Sequence, residues 1–262
     1  MPLVAKFLVY CSQKLEARTV LTIRAALALP LNEGFGIDFE HKHFKMLAKT
    51  AFKRKPPVPK VVPSWSLDDA FKALARMRIK VSDKLARFRK ALFLLACATS
   101  NRSAELAAID RKAIVFRQHA AVFPVKPGFI FKNQAQFHAP SLIDIPDLPG
   151  SKVCPIKAVK DYLEDTAGSQ EATLFLHPTS GKALNASRLA FQLAKTIDWL
   201  VPGALGRAHD TRKLSTSGAF CAGISADKIV AAGSWRTTST FARKYFVPST
   251  AKGKVVLARA RV

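Results

Sequence analysis

Acidic residues are scarce in this chain: 18 Asp and Glu stand against 42 Lys and Arg, a formal net charge of +24 over 262 residues. That shortage excludes a charge-balanced surface and makes a polyanion the natural partner. Cysteine is scarce too. Cys11, Cys97, Cys154 and Cys221 form no Cys-x-x-Cys pair, which excludes the common zinc and dithiol motifs, and all four read as reduced core residues of an intracellular protein. No long uncharged apolar run occurs, so no membrane span is expected. The apolar start, Met1 to Tyr10, is short, lacks a cleavage-site pattern and reads as the beginning of a helix rather than a signal peptide. A glycine-rich phosphate loop and a paired-acid metal site are both missing, so neither ATP nor Mg²⁺ nor any other cofactor is implied. No internal repeat is visible.

What is present is a core and a boundary. Hydrophobic residues make up 49% of the chain, too many for a disordered basic tail. The run Lys53-Arg54-Lys55-Pro56-Pro57-Val58-Pro59-Lys60-Val61-Val62-Pro63 cannot be helical and reads as an extended linker. Its cations suit a strand lying along a phosphate backbone, or simply a solvated surface. We place the boundaries at 1–53 for a helical domain, 54–64 for the basic proline-rich linker and 65–262 for a larger domain. Apolar spacing predicts helices over Leu3–Leu15, Arg18–Leu29 and Phe39–Phe52 in the first. In the second, Ser66 before Asp68 and Asp69 resembles an N-cap. Helices follow at Asp68–Arg78, Ser82–Ala96, Pro155–Asp165, Ala186–Leu200, Asp210–Cys221 and Ala226–Ala232, with Gly223 and Gly233 as C-terminal caps. Short strands are expected at Ala113–Phe116, His119–Val125 and Ser141–Ile145. The fold class is therefore mainly α with a small antiparallel β-sheet.

His209-Asp210-Thr211-Arg212 opens one of these helices, so His209 and Arg212, three apart, share a face beside a positive helix end. Such a face suits a phosphate; a helix-capping histidine and a solvated arginine are equally compatible with four residues. Downstream, Ala231 to Phe246 carries Trp235 and Tyr245. Upstream, Thr99 to Leu106 carries Arg102 with Glu105 three residues on, placed to hold it. A phenol attacking a phosphodiester needs such a set. Arginines meet the charge on the non-bridging oxygens, and another group takes the phenol proton. A third protonates the departing oxygen.

The ordered set Arg102, His209-x-x-Arg212, Trp235, Tyr245 resembles the signature of the tyrosine recombinases, the phage-integrase family. The resemblance runs from about Trp65 to the end, and the N-terminal helices with their linker look like the family's core-binding domain. Within the family, the Trp form and the Trp-to-Tyr stretch look most like eukaryotic transposon recombinases of the DIRS or crypton type. The Trp-to-Tyr step is one residue longer than is common in bacterial and phage members, and the N-terminal domain is short. Among the three tyrosines, Tyr10, Tyr162 and Tyr245, only Tyr245 lies in the signature region.

The resemblance implies a site-specific DNA recombinase or integrase, a strand-transferase working through a covalent 3′-phosphotyrosine without cofactor. Tyr245 would be the nucleophile, Arg102, His209, Arg212 and Trp235 the phosphate-binding set, and Glu105 a support. The family's catalytic lysine lies on a β-hairpin; Lys132 is the first choice and Lys126 the alternative. Partners implied are double-stranded DNA and further copies of the chain, as a dimer or tetramer on DNA, with no membrane; the C-terminal tail would dock on a neighbouring subunit or fold back on its own. The location implied is intracellular, the nucleus in a eukaryote and otherwise the cytoplasm or nucleoid. Type IB topoisomerases use similar chemistry, but His-x-x-Arg followed by Trp is the recombinase arrangement. A silent DNA-binding descendant need not have kept the full set, and a basic RNA-binding protein gives no reason for it. His41, His43, His119, His138, His177 and Trp199 read as structural or surface residues, and Tyr162 as a half-buried helix-face residue.

Overall fold

The computed structural model describes residues 2–56, 62–131, 143–235, 237–247 and 259–260. The chain divides into two compact units, Met1–Val61 and Val62–Val262. Among the described residues, no helix is long and apolar enough to cross a membrane.

The first unit is three helices, α1 (Pro2–Lys14), α2 (Ala17–Phe35) and α3 (Lys42–Arg54), closed around Leu8, Phe39 and Phe44. The Phe39 and Phe44 rings stack with centroids 4.6 Å apart. Helix α2 runs past the expected stop at Leu29, straight through Pro30. Pro30 and Ala26 both face solvent, so the carbonyl deprived of its usual N–H donor can be hydrated there. The helix ends at Gly36, whose N–H donates to Asn32 O (2.8 Å) while Ile37 N–H reaches back to Leu31 O (3.1 Å).

The second unit is built on α5 (Lys84–Thr99). It begins at Asp83, whose carboxylate accepts from Ala86 N–H at 2.9 Å. From Ala91 to Thr99 every residue is buried, as expected of a helix that is apolar all round. Around it lie α7 (Pro155–Asp165), α8 (Ala186–Leu200) and α9 (Ala208–Cys221). The preceding helix α4 (Leu67–Arg76) starts at Ser66, whose hydroxyl accepts from Asp69 N–H at 3.1 Å, the anticipated cap. A short helix the sequence did not reveal, α6 (Ser103–Ala107), follows α5 directly, and α8 packs on it. The chain then closes with α10 (Ala226–Ala232) and another unanticipated helix, α11 (Thr238–Lys244).

The sheet is antiparallel, in the order β1 (Val115–Phe116), β2 (Ala120–Phe123), β3 (Ile143–Pro146), β4 (Arg259–Ala260). Val122 pairs with Val115 on one side and Asp144 on the other. Strand β4 comes from the C-terminal tail and pairs Asp144 with Arg259 of the same chain, the fold-back alternative for these two residues.

Three sequence expectations are corrected. Lys53 and Arg54, expected in the non-helical linker run, are the last two residues of α3, because proline bars helix only from the residue before it onward. Cys221 is exposed while Cys11, Cys97 and Cys154 are buried, because it occupies the final position of α9. Tyr162 is only 3% exposed. Its ring stacks on Phe175, and its hydroxyl accepts from Leu176 N–H at 2.8 Å. Burial, the main cause, pushes that phenol up to about 12.

Candidate active site

Three stretches far apart in sequence meet at one place. The first is the α5–α6 junction. Ser100 leaves α5 with φ 53, which frees the chain to turn into α6. Glu105, on the first turn of α6, accepts from Arg102 N–H (2.7 Å) and from Arg102 Nη1 (2.5 Å). This carboxylate is 2% exposed and also lies 3.5 Å from Arg212 Nη1. One buried anion thus sits between two guanidiniums, a position for which the Arg-x-x-Glu spacing was suited.

The second stretch is α9. Asp210 accepts from Arg207 N–H at 2.8 Å and closes the helix start. Arg212, one turn in, is 1% exposed. Its Nη1 donates to Ser100 O at 2.7 Å and its Nη2 donates to Gly233 O. Burial lowers its pKa to about 10 against the opposing pull of Glu105, so it stays a cation at neutral pH. It is not the solvated residue that its short motif allowed. His209 keeps an exposed edge, yet loss of surrounding water, followed by Arg212, Lys213 and Arg102, lowers its pKa to about 4. The imidazole is therefore neutral at pH 7.

The sign of this shift gives a test. Between the ordinary histidine value of 6.5 and the folded value of about 4, the unfolded chain binds a proton that the folded chain refuses. Stability present above the upper value is lost as the pH falls through this window. His209→Gln should reduce the fall in Tm between neutral pH and pH 4, and equal falls in both proteins would remove the assignment.

The third stretch is α10 to α11. Trp235, Phe241, Tyr245, Ile229 and Ala219 form a small apolar cluster separate from the main core. Gly233 caps the C-terminus of α10 as expected, with φ −83, so a left-handed backbone is not what calls for glycine there. The reason for glycine is proximity: a Cβ there would lie 2.7 Å from the Trp235 ring. Gly223, by contrast, has φ 91 and does turn the chain after α9. Thr237 caps α11 by accepting from Thr240 N–H at 3.3 Å.

Tyr245 follows α11 and is 8% exposed. Its ring centroid lies 4.3 Å from that of Trp235 and 5.1 Å from that of His209. The Arg212 guanidinium carbon is 4.5 Å from the Trp235 ring and 5.4 Å from the Tyr245 ring. The structure thus brings Arg102, Glu105, His209, Arg212, Trp235 and Tyr245 together. Lys132 lies outside the described residues. Lys126 is described, and its N–H donates to Ala108 O at 2.8 Å, tying that stretch to the residue just after α6.

Among the described residues, Arg212 Nε, Trp235 Nε1 and Asn101 Nδ2 are buried donors without a hydrogen-bond partner. Unpaired buried donors cost free energy; these three lie on the same three stretches, while Arg24 Nε, Trp65 Nε1 and Arg89 Nε are unpaired elsewhere. Ser100 and Ser234 both hold positive φ, 53 and 47, one just before Arg102 and one just before Trp235, where backbone strain marks a constrained site. Sequence reasoning missed Ser100, Asn101 and Ser217. The Ser217 hydroxyl donates to Tyr245 O (3.3 Å) and accepts from Val247 N–H (2.9 Å). No side-chain pattern signals these roles, because most of the contacts are to main chain.

No protein-family model matches this chain, and no curated protein sequence does either. Solved structures do. The integrase of the Tn1549 transposon, in complex with transposon right-end DNA, is 13% identical over 93% of this chain and 79% of its own, with a TM-score of 0.62. The XerH site-specific recombinase bound to palindromic difH is 13% identical over 93% of this chain and 65% of its own, at 0.57. A lambda integrase dimer bound to a COC′ core site is 15% identical over 96% of this chain and 81% of its own, at 0.56. The fold, helices with a small antiparallel sheet, is that of the tyrosine recombinases.

Proposed function

We propose that this chain is a site-specific DNA strand-transferase that cleaves and rejoins DNA through a 3′-phosphotyrosine on Tyr245. The carrying observation is the convergence of that one phenol on a neutral histidine, an indole and a buried arginine. Arg102 and Arg212 bind the scissile phosphate, aligned from behind by Glu105, while the uncommitted Arg212 Nε and Trp235 Nε1 are further donors for its oxygens. His209 accepts the phenol proton. The Tyr245 Oη–P bond forms as the P–O5′ bond breaks, and the departing oxygen takes a proton from Lys132, with Lys126 as the alternative donor. In rejoining, the 5′-hydroxyl attacks phosphorus and returns the bond, so no external energy source is consumed.

Residues 1–53, within the Met1–Val61 unit, are proposed as a core-binding domain, 54–64 as the linker and 65–262 as the catalytic domain, and the assembly as a dimer or tetramer on double-stranded DNA. Trp235 at its place in the signature and the long step to Tyr245 support a transposon recombinase of the DIRS or crypton type, hence a mobile-element origin. For the whole activity the test is incubation with nicked duplexes and a denaturing gel. A protein–DNA adduct should survive denaturation; its absence across varied duplexes would remove this reading.

The charge of +24 makes a further prediction. Neutralising many phosphates releases counterions, so affinity for duplex DNA should fall about 10³-fold or more between 50 and 200 mM salt. A binding constant that stays level over this range, measured by fluorescence anisotropy, would contradict a broad phosphate-contacting surface.

A further inference from the structure

We propose that Ser217 is a positioning residue for Tyr245, fixing the nucleophile's main chain to the helix that carries its proton acceptor and one of its phosphate-binding arginines. The inference rests on the strand-transfer reading of Tyr245. Ser217 is fully buried on α9. Its hydroxyl donates to the carbonyl of Tyr245 at 3.3 Å and accepts from the N–H of Val247 at 2.9 Å. These two main-chain groups flank Phe246, the residue that follows the nucleophile. A hydroxyl can serve both at once, since it carries one donor and two acceptor sites.

The placement matters because of what else α9 holds. His209, Arg212 and Ser217 lie on one continuous helix. A rigid helix keeps the distances among its side chains better than a loop does. Tyr245 stands just beyond the end of the short helix α11, in a small cluster of its own. Ring packing restrains the phenol sideways, and Tyr245 N–H to Phe241 O (2.9 Å) ties it only to α11. The Ser217 bridge transfers it to α9, so that one element sets the spacing of phenol, imidazole and guanidinium. Neighbouring hydroxyls on α9 serve other ends: Thr216 donates to Arg212 O (2.7 Å) within the helix, and Ser215 pairs with Ser100 (2.9 Å).

The experiment compares wild type, Ser217→Ala, Ser217→Cys and Thr216→Val. The cysteine variant keeps nearly the same volume with a much weaker hydrogen-bonding group, and so separates the bridge from packing. Three quantities are read: single-turnover cleavage at saturating nicked DNA, DNA affinity, and amide hydrogen exchange at Val247. Both Ser217 variants should form the adduct at least about tenfold more slowly, with affinity unchanged and exchange at Val247 accelerated, since small misplacements of a reacting group are costly. Thr216→Val should cleave at the wild-type rate. Ser217→Cys cleaving within twofold of wild type, or Thr216→Val losing as much as Ser217→Cys, would overturn the proposal. A wild type that forms no adduct removes the strand-transfer reading itself. Exchange at Val247 then decides the bridge separately: unchanged exchange in Ser217→Cys overturns it.

Discussion

Tyr245→Phe should abolish the covalent protein–DNA adduct completely while leaving fold and DNA affinity near wild type. The substitution deletes one oxygen from a ring that is 8% exposed and held by Trp235 and His209; the packing surface remains. Without the phenol oxygen no phosphotyrosine can form, so the effect is all-or-none rather than graded. The other two tyrosines are poor substitutes. Tyr162 is buried with its hydroxyl engaged by Leu176 N–H. Tyr10 belongs to the first unit, its ring beneath Lys14 Nζ at 4.7 Å. The measurement is a denaturing gel after incubation with nicked duplex, alongside thermal melting. An adduct of undiminished yield from the Phe variant would mean that a different nucleophile acts.

Replacing Arg212 should damage chemistry and stability together. Because its side chain is buried and bonds to Ser100 O, Gly233 O and the Glu105 carboxylate, Arg212→Ala strands two carbonyls and leaves a void beside Trp235. Glu105 retains Arg102, so the loss should fall near the low end for a broken buried pair, about 3 kcal/mol. Loss of a preorganised donor to the transition state should slow cleavage at least about 10². Arg212→Lys keeps the charge but loses the planar fork that reaches Ser100 O and Gly233 O from two separate nitrogens, and the Nε donor with it, so cleavage should fall nearly as far. Urea unfolding and single-turnover cleavage read the two effects separately. An Arg212→Ala protein that matches wild type in both would exclude a role for this guanidinium as clamp and strut.

Much of this arrangement was legible because side-chain identity carried it. The apolar spacing in α5, α7, α8 and α9 foretold helices that are there, and the order of Arg102, His209, Arg212, Trp235 and Tyr245 foretold residues that do converge. Helix α11 was not legible: Thr238, Ser239 and Thr240 are indifferent helix formers, and its formation depends on the Thr237 cap and on packing of Phe241. The continuation of α2 past Pro30 depended on local solvent exposure that composition does not encode. Least legible was how Arg212 is held, because the carbonyls of Ser100 and Gly233 belong to main chain and leave no trace in residue type.

The separate cluster around Tyr245 has a consequence for how the molecule comes apart. Stability in a folded protein is distributed unevenly, and segments with few buried apolar contacts open first. The α5–α6 junction that carries Arg102 and the start of α9 that carries Arg212 are anchored in or against the large core, whereas Trp235, Phe241 and Tyr245 belong to a small separate patch. Releasing α11 and the Tyr245–Val247 stretch that follows it therefore disrupts that patch and the Ser217 bridge, but leaves the Arg102–Glu105 pair and the Arg212–Gly233 contact intact. Tyr245, the proposed nucleophile, would then be withdrawn as a local opening event while the arginines proposed to bind the phosphate stay in place.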